Sequence, residues 1–209
     1  MSGAVVKTRE ELIEVARRLF AETGIDGITM NDIAAASGRG RRTLYTYFKN
    51  KSEIYNAVIE SELNILYKAL QDVVEKNLPA DIKLLEFINM RLESTKRVVY
   101  RNGSLDAEFF KDIWHVETIR RPFDIKEILF LKNILEEGVR EGVFKVANPK
   151  NIAIILHSAF KGLEVPYIRG MIDSFSDTGK QEINSIIGLL FYGLKKRKYT
   201  KPNSINNSQ

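Results

Sequence analysis

The sequence predicts an all-α protein, a three-helix helix-turn-helix head followed by a larger helical domain, with about nine helices in total. Three observations carry this. Apolar residues recur at three- and four-residue spacing along most of the 209 positions, the period of a helix with one buried face. No run alternates apolar and polar residues between turn signals, as a half-buried strand would. Within the first 48 residues, three segments of about 16, 8 and 8 residues are bounded by caps and glycines, the pattern of a helix-turn-helix unit.

The first helix is predicted to start near Thr8, because Thr8-Arg9-Glu10-Glu11 has the form of a capping box. Leu12, Ala16, Leu19 and Phe20 share one face, and Gly24 supplies a left-handed stop. A second box, Thr29-Met30-Asn31-Asp32, opens a short helix with Ile33 and Ala34 inward and Ser37-Gly38 at its end. The third runs from about Gly40 to Phe48. Asn50-Lys51-Ser52 breaks the pattern, with Ser52 the cap of a fourth helix reaching past Leu70. After Pro79, Asp81 to about Tyr100 carries Leu84, Leu85, Ile88 and Leu92 at its apolar positions. Asn102-Gly103-Ser104 turns the chain into a shorter aromatic-rich helix ending near Val116. Pro122 precedes a helix from Asp124 to Glu141, which Gly142 stops. Asn148-Pro149 starts a helix to about Gly162, with a kinked continuation past Pro166 as the alternative. Residues 176–179 form a loop, the last helix covers about 180–198, and the remainder is predicted disordered. The implied units are a helix-turn-helix head (1–52), a larger helical domain (53–198) and a tail (199–209).

Charge is unevenly placed. Residues 1–51 carry nine Lys/Arg against six Asp/Glu, residues 52–194 carry 18 against 21, and the segment from Lys195 carries five basic residues and no acid. A basic head on an acidic body fits contact with DNA at one end. The run Lys195-Lys196-Arg197-Lys198 is read as complementing a helix C-terminus. No cysteine is present, which excludes disulfides, thiolate metal sites and cysteine nucleophiles. His115 and His157 are too far apart for a local metal motif. With no phosphate-binding glycine loop, nucleophile elbow or convergent nucleophile, base and orienter, neither an enzyme nor a cofactor is expected. No apolar stretch reaches the ~18 residues of a membrane span and no signal peptide is visible, so a cytoplasmic protein is expected.

At ~100° per residue, Leu44 and Phe48 lie together on the third helix, facing the Leu12/Leu19/Ile33 core. Arg42 and Thr46 then point away from it, flanked by Thr43 and Tyr45, with Arg41 at the N-terminal end. Between Ser37 and Lys51 there are five basic residues and no acid. Arginine can fork onto guanine O6 and N7, and threonine can touch a thymine methyl. Arg42 and Thr46 are therefore the candidate base contacts. Tyr45, Tyr47, Lys49 and Lys51 are candidates for phosphate. Thr29 offers a hydroxyl and helix N–H groups to a further phosphate.

These residues carry a resemblance. Phe20, Gly24, Ile28-Thr29-Met30-Asn31-Asp32-Ile33-Ala34, and the segment from Thr43 through Tyr45, Tyr47, Phe48 and Lys51 to Ile54 are similar to the TetR family of bacterial transcriptional regulators. The match covers about residues 8–60. Two positions depart from the family pattern, Arg39 and Gly40, where a small hydrophobic residue and a Ser or Thr cap are usual. Glycine is an acceptable cap. Arg39 cannot plug the turn, and is expected to point outward and add a contact to DNA.

The resemblance implies a homodimer on palindromic double-stranded operator DNA, most simply a repressor, released by an unidentified small molecule. It implies a four-helix dimer bundle, here from about 149–165 and 180–198. Ile152, Ile155, Leu156 and Phe160 supply apolar side chains on the first helix; Ile183, Ile186, Ile187, Leu190, Phe191 and Leu194 supply them on the second. Gly162, Gly188 and Gly193 would permit close approach. Phe87, Met90, Tyr100, Phe109, Phe110, Trp114, His115, Phe130, His157, Phe160 and Tyr167 are the pocket candidates, an apolar set with a few polar groups. Plain core packing is the competing reading for each. The alternative function is a DNA-binding regulator controlled by a protein partner rather than a small molecule.

Overall fold

Seven helices and no strand make up the described residues of the computed structural model, which are 3–102, 113–168, Ser185, Gly188, Tyr192 and Gly193. The helices are α1 (Gly3–Thr23), α2 (Met30–Ala36), α3 (Arg41–Tyr47), α4 (Lys51–Val74), α5 (Ala80–Asn102), α6 (Ile113–Arg140) and α7 (Pro149–Ile168).

The head is built on the predicted face of α1. Leu12, Ala16 and Phe20 are fully buried, as are Ile33 of α2 and Leu44 of α3. Gly24 ends α1 at φ +80° and Gly38 ends α2 at φ +64°, conformations that side chains with a Cβ resist. The capping box of α2 forms as predicted: Asp32 N donates to Thr29 Oγ1 at 3.3 Å while Thr29 N donates to Asp32 Oδ2 at 2.8 Å. The other two predicted starts are corrected. α1 begins at Gly3, so Thr8 lies in its interior; nothing in Ala4-Val5-Val6-Lys7 breaks a helix, and a hydroxyl three residues before an acid is compatible with one. α4 begins at Lys51, capped by Asn50, whose Oδ1 accepts from Glu53 N at 2.9 Å. Asparagine caps as well as serine, and Ser52 falls inside the first turn.

α4 runs through both apolar clusters. Its first half (Ile54, Ala57, Val58, Ile59) belongs to the head core, and its second half (Leu70, Val73) packs with Leu84, Phe87 and Ile88 of α5, Leu131, Ile134 and Leu135 of α6, and Ala153, Leu156 and Phe160 of α7. α6 also serves both, because Val116 and Ile119 pack against the head cluster. This overturns the predicted break near Val116 and the predicted start after Pro122: the helix is continuous from Ile113 to Arg140 with Pro122 inside it. Proline there removes one backbone hydrogen bond. The helix persists because burial on both sides of the proline, Val116 and Ile119 before it and Leu131 to Leu135 after it, holds its axis.

α5 agrees with its predicted span to within two residues, and α7 continues through Pro166 to Ile168. Glu141 accepts from Ala80 N at 2.9 Å, fastening the start of α5 to the end of α6. After Gly142 (φ +73°) the chain folds back so that Phe144 N donates to the Gly138 carbonyl at 3.0 Å. Most of the predicted helices over 104–116 and 180–198, and all of the predicted loop at 176–179 and tail at 199–209, lie outside the described residues, although Ser185, Gly188, Tyr192 and Gly193 are helical. Among the described residues, no helix is long and apolar enough to cross a membrane.

Candidate nucleic-acid interface

Leu44 and Phe48 lock one face of α3 into the head core, at 0% and 2% exposure. That leaves Arg41, Arg42, Tyr45 and Thr46 of α3, with the following Lys49, exposed, and Thr43 and Tyr47 half-buried. Tyr47 packs on the core cluster. Gly40 caps α3 in an extended conformation (φ −67°, ψ 147°) without a side-chain bond. Thr46 Oγ1 donates back to the Arg42 carbonyl at 2.9 Å.

Three candidates are differently engaged. Thr29 spends its N–H and its hydroxyl on Asp32 Oδ2, at 2.8 and 2.6 Å, so it reaches a phosphate only by giving up part of that box. Arg39 is exposed, and its guanidinium pairs with Glu11 Oε2 of α1 at 2.8 Å. It braces the turn from outside where a small apolar residue would fill it from inside. Lys51 Nζ donates to the Ile25 carbonyl at 2.8 Å and is half-buried, a tether between α4 and the α1–α2 connection.

A charged network that the sequence reading missed joins the head to the body. Arg17 of α1 donates to the Arg101 carbonyl at 2.6 Å and pairs with Glu14. Arg101 of α5 reaches Glu14 Oε2 at 2.7 Å and lies 3.7 Å from Glu62 Oε1 of α4. The Arg17 hydrogen bond, opposed by partial burial, pulls the Glu14 carboxyl below its ordinary value.

In the body, the pocket candidates divide. Phe87 and Phe160 are fully buried in the apolar core, so Phe160 is core rather than a dimer contact. Met90 and Phe130 are partly buried against that core, and Phe130 stacks on Tyr67 at 5.2 Å. Tyr100, Trp114, His115 and Tyr167 fall near helix ends with their side chains outside the described set. Phe109, Phe110, Ile183, Ile187, Leu190, Phe191 and Leu194 lie outside the described residues. On α7, Ile152 packs on the core while Ile154 and Ile155 are exposed.

His157 joins a buried ionic cluster instead of an apolar wall. Its Nε2 is 3.6 Å from Asp124 Oδ1 and its Nδ1 is 3.6 Å from Glu127 Oε1. Arg91, fully buried on α5, donates to Glu127 Oε1 at 2.8 Å. Arg120 and Lys161 each donate to Asp124 at 2.9 Å, and Lys161 also reaches Glu117. Burial alone would raise the Asp124 and Glu127 carboxyls, yet His157, Lys161 and Arg120 around the first, and Arg91 and His157 around the second, hold both well below the ordinary range. The ligand atoms of Asp124, Glu127 and His157 lie within 4.8 Å of one another. They make a poor metal centre, because Arg91, Arg120 and Lys161 already neutralise the same carboxylates. A signal for this cluster did exist: Arg91 continues the Leu84/Phe87/Ile88 stripe of α5, a charge on an apolar face.

Residues 12–58 match the model of "Bacterial regulatory proteins, tetR family". Over 179 residues the chain is 26% identical to the Escherichia coli K12 protein "Probable acrEF/envCD operon repressor", covering 79% of this chain and 78% of the relative. A transcriptional regulator from Cytophaga hutchinsonii superposes with a TM-score of 0.70 at 22% identity, over 90% of this chain and 98% of that one. A putative regulator from Saccharomonospora viridis, solved with choline, superposes with a TM-score of 0.69 at 18% identity, over 92% and 100%.

Proposed function

We propose that this chain belongs to the TetR family of bacterial regulators, whose model its head matches, and that it is a cytoplasmic one-component repressor that binds a palindromic operator as a homodimer and is released by a small molecule. The observation that carries the reading is α3, whose one face is locked into the core by Leu44 and Phe48 while the opposite face presents Arg41, Arg42, Tyr45, Thr46 and the adjacent Lys49. The units are the head (1–52), which reads DNA, and the body (53–198), which senses and dimerises.

Arg42 reads a guanine edge and Thr46 a thymine methyl. The Thr46 hydroxyl is already bonded to its own helix, so the methyl is what it offers outward. Tyr45, Tyr47, Lys49 and Arg41 hold phosphates. Arg39 exchanges Glu11 for a phosphate when the head docks. Ile154 and Ile155, exposed on α7, and Tyr192, exposed on the segment that follows, are the apolar side chains offered to the partner subunit. An effector is placed among Met90, Phe130 and the aromatics Tyr100, Trp114 and His115 of the body; the choline complex of the S. viridis neighbour supports a small-molecule ligand, without bearing on its position.

In vitro selection of bound duplexes, with sedimentation of the free protein and the complex, tests this. The expected outcome is an inverted repeat with half-sites one helical turn, ~34–36 Å, apart or a multiple of it, bound by an even number of subunits. A monomer in solution and on DNA, or an asymmetric consensus, would overturn it.

A further inference from the structure

We propose that the ionic cluster where α5, α6 and α7 meet is a proton-binding site centred on His157, and that its proton controls how firmly α7 is clamped to α6 and, through α6, how the DNA head is held. Only the last step rests on the function proposed above.

The geometry selects the charged imidazole. His157 is 4% exposed, each ring nitrogen is 3.6 Å from a carboxylate oxygen, and Nδ1 is buried with no hydrogen-bond partner among the described residues. A neutral imidazole carries one N–H and one lone pair, so one of its nitrogens would turn a lone pair toward an anionic oxygen. The imidazolium points an N–H at both and closes the seam between α7 and α6.

The charged groups around the ring are Arg91 from α5, Arg120, Asp124 and Glu127 from α6, and Lys161 from α7, with Glu117 on the far side of Lys161. Three cations and three anions balance before His157 is counted, so the imidazole proton is the variable charge. A divalent ion would set a double charge beside three cations already bonded to its ligands, and is the wrong occupant.

Burial disfavours the imidazolium, but the Asp124 and Glu127 carboxylates outweigh it and raise the His157 pKa above 6.5. A raised folded-state value stabilises fully below the unfolded value of 6.5, and that contribution is lost as pH climbs through the folded value. Asp124 and Glu127, whose folded values are lowered, lose theirs as pH falls below their ordinary 3.8 and 4.5. The seam is therefore tightest between these limits and opens on the alkaline side by loss of one proton. α6 carries the effect to the head, since Ile119 on the head core is eight residues, about 12 Å of helix, from Glu127.

The chain has two histidines, so the full-length wild-type protein can be followed by its two imidazole NMR signals from about pH 5.5 to about pH 9, with His157→Gln identifying the His157 signal. His157 should titrate above 6.5, Glu127→Gln should lower its pKa, and zinc chloride should leave its signal unmoved. The wild-type Tm should fall across the measured His157 pKa, and His157→Gln should lose that fall. Affinity for the selected duplex should weaken over the same range in wild type only. Titration of His157 at or below 6.5, an unchanged Tm profile in His157→Gln, or stoichiometric zinc capture overturns the proton site. A pH-independent affinity overturns the coupling to the head. Failure to bind any duplex at any pH overturns the regulator reading instead, and the wild-type titration still decides the proton site even where His157→Gln does not fold.

Discussion

Replacing Glu127 by leucine should be among the most damaging single changes in the body. Arg91 is fully buried and its Nε donates to Glu127 Oε1 at 2.8 Å. A guanidinium does not deprotonate in a protein, so Glu127→Leu leaves a permanent charge in the core without its carboxylate. Removing one partner of a buried pair costs about 3–5 kcal/mol, a large share of the roughly 5–15 kcal/mol that holds a domain together. Arg91→Met should cost less, because the carboxylate it abandons keeps His157 at 3.6 Å and can take up a proton. The double variant Arg91→Met/Glu127→Leu replaces both charges with apolar groups of similar reach and should recover most of the loss. Urea unfolding by far-UV circular dichroism at pH 7 measures this, at one fixed protein concentration because the proposed dimer would make stability depend on it. A Glu127→Leu cost under about 1 kcal/mol, or a double variant as unstable as the sum of the singles, would refute the view that charge pairing dominates this site.

Gly138→Ala should destabilise by about 1–3 kcal/mol, because a methyl there would overlap the ring of Phe144, which is 3% exposed and anchored by its N–H to the Gly138 carbonyl; an unchanged Tm would show that the ring has room to move. Thr29→Ala removes the side-chain half of the α2 capping box while leaving the backbone N–H bond to Asp32, and should cost about 1 kcal/mol in thermal unfolding, with Thr29→Ser restoring it. Arg42→Ala should cost about 1–3 kcal/mol on the preferred duplex and relax the sequence preference at one base pair, while Lys49→Ala should weaken all duplexes alike. Competition binding against single-base variants distinguishes them, and identical profiles would mean the recognition face is wrongly assigned.

The head was legible because its constraints are local. A capping box at Thr29 and Asp32, glycines at 24 and 38 and the four-residue spacing of Leu44 and Phe48 are written within a few positions of the structures they specify. Where local patterns were degenerate, the reading failed. Thr8 and Glu11 satisfy the capping pattern inside a helix as well as at its start, and Asn50 and Ser52 are equally good caps two residues apart. The pairing of Arg39 with Glu11 spans 28 residues, so only the folded head reveals that the arginine braces the turn. The ionic cluster draws Arg91, Asp124, Glu127 and His157 from three helices; in sequence only the intrusion of Arg91 into an apolar stripe betrays it.

Pro122 shows why such non-local effects decide the body. Read alone, it is a helix start, since proline suits the first turn and disfavours the interior by ~3 kcal/mol. In the folded chain the penalty is offset by what each flank buries: Val116 and Ile119 against the head, Leu131, Ile134 and Leu135 against α4, α5 and α7. One helix thus replaces two, and its weakest backbone position falls between Ile119, which touches the DNA-reading unit, and Asp124, which opens the ionic cluster. A break there would have insulated the two ends. A perfect helix would have made them a rigid unit. A continuous helix lacking one hydrogen bond can carry a displacement at Asp124 and Glu127 toward the head while still bending, as the proposed coupling between cluster and head requires.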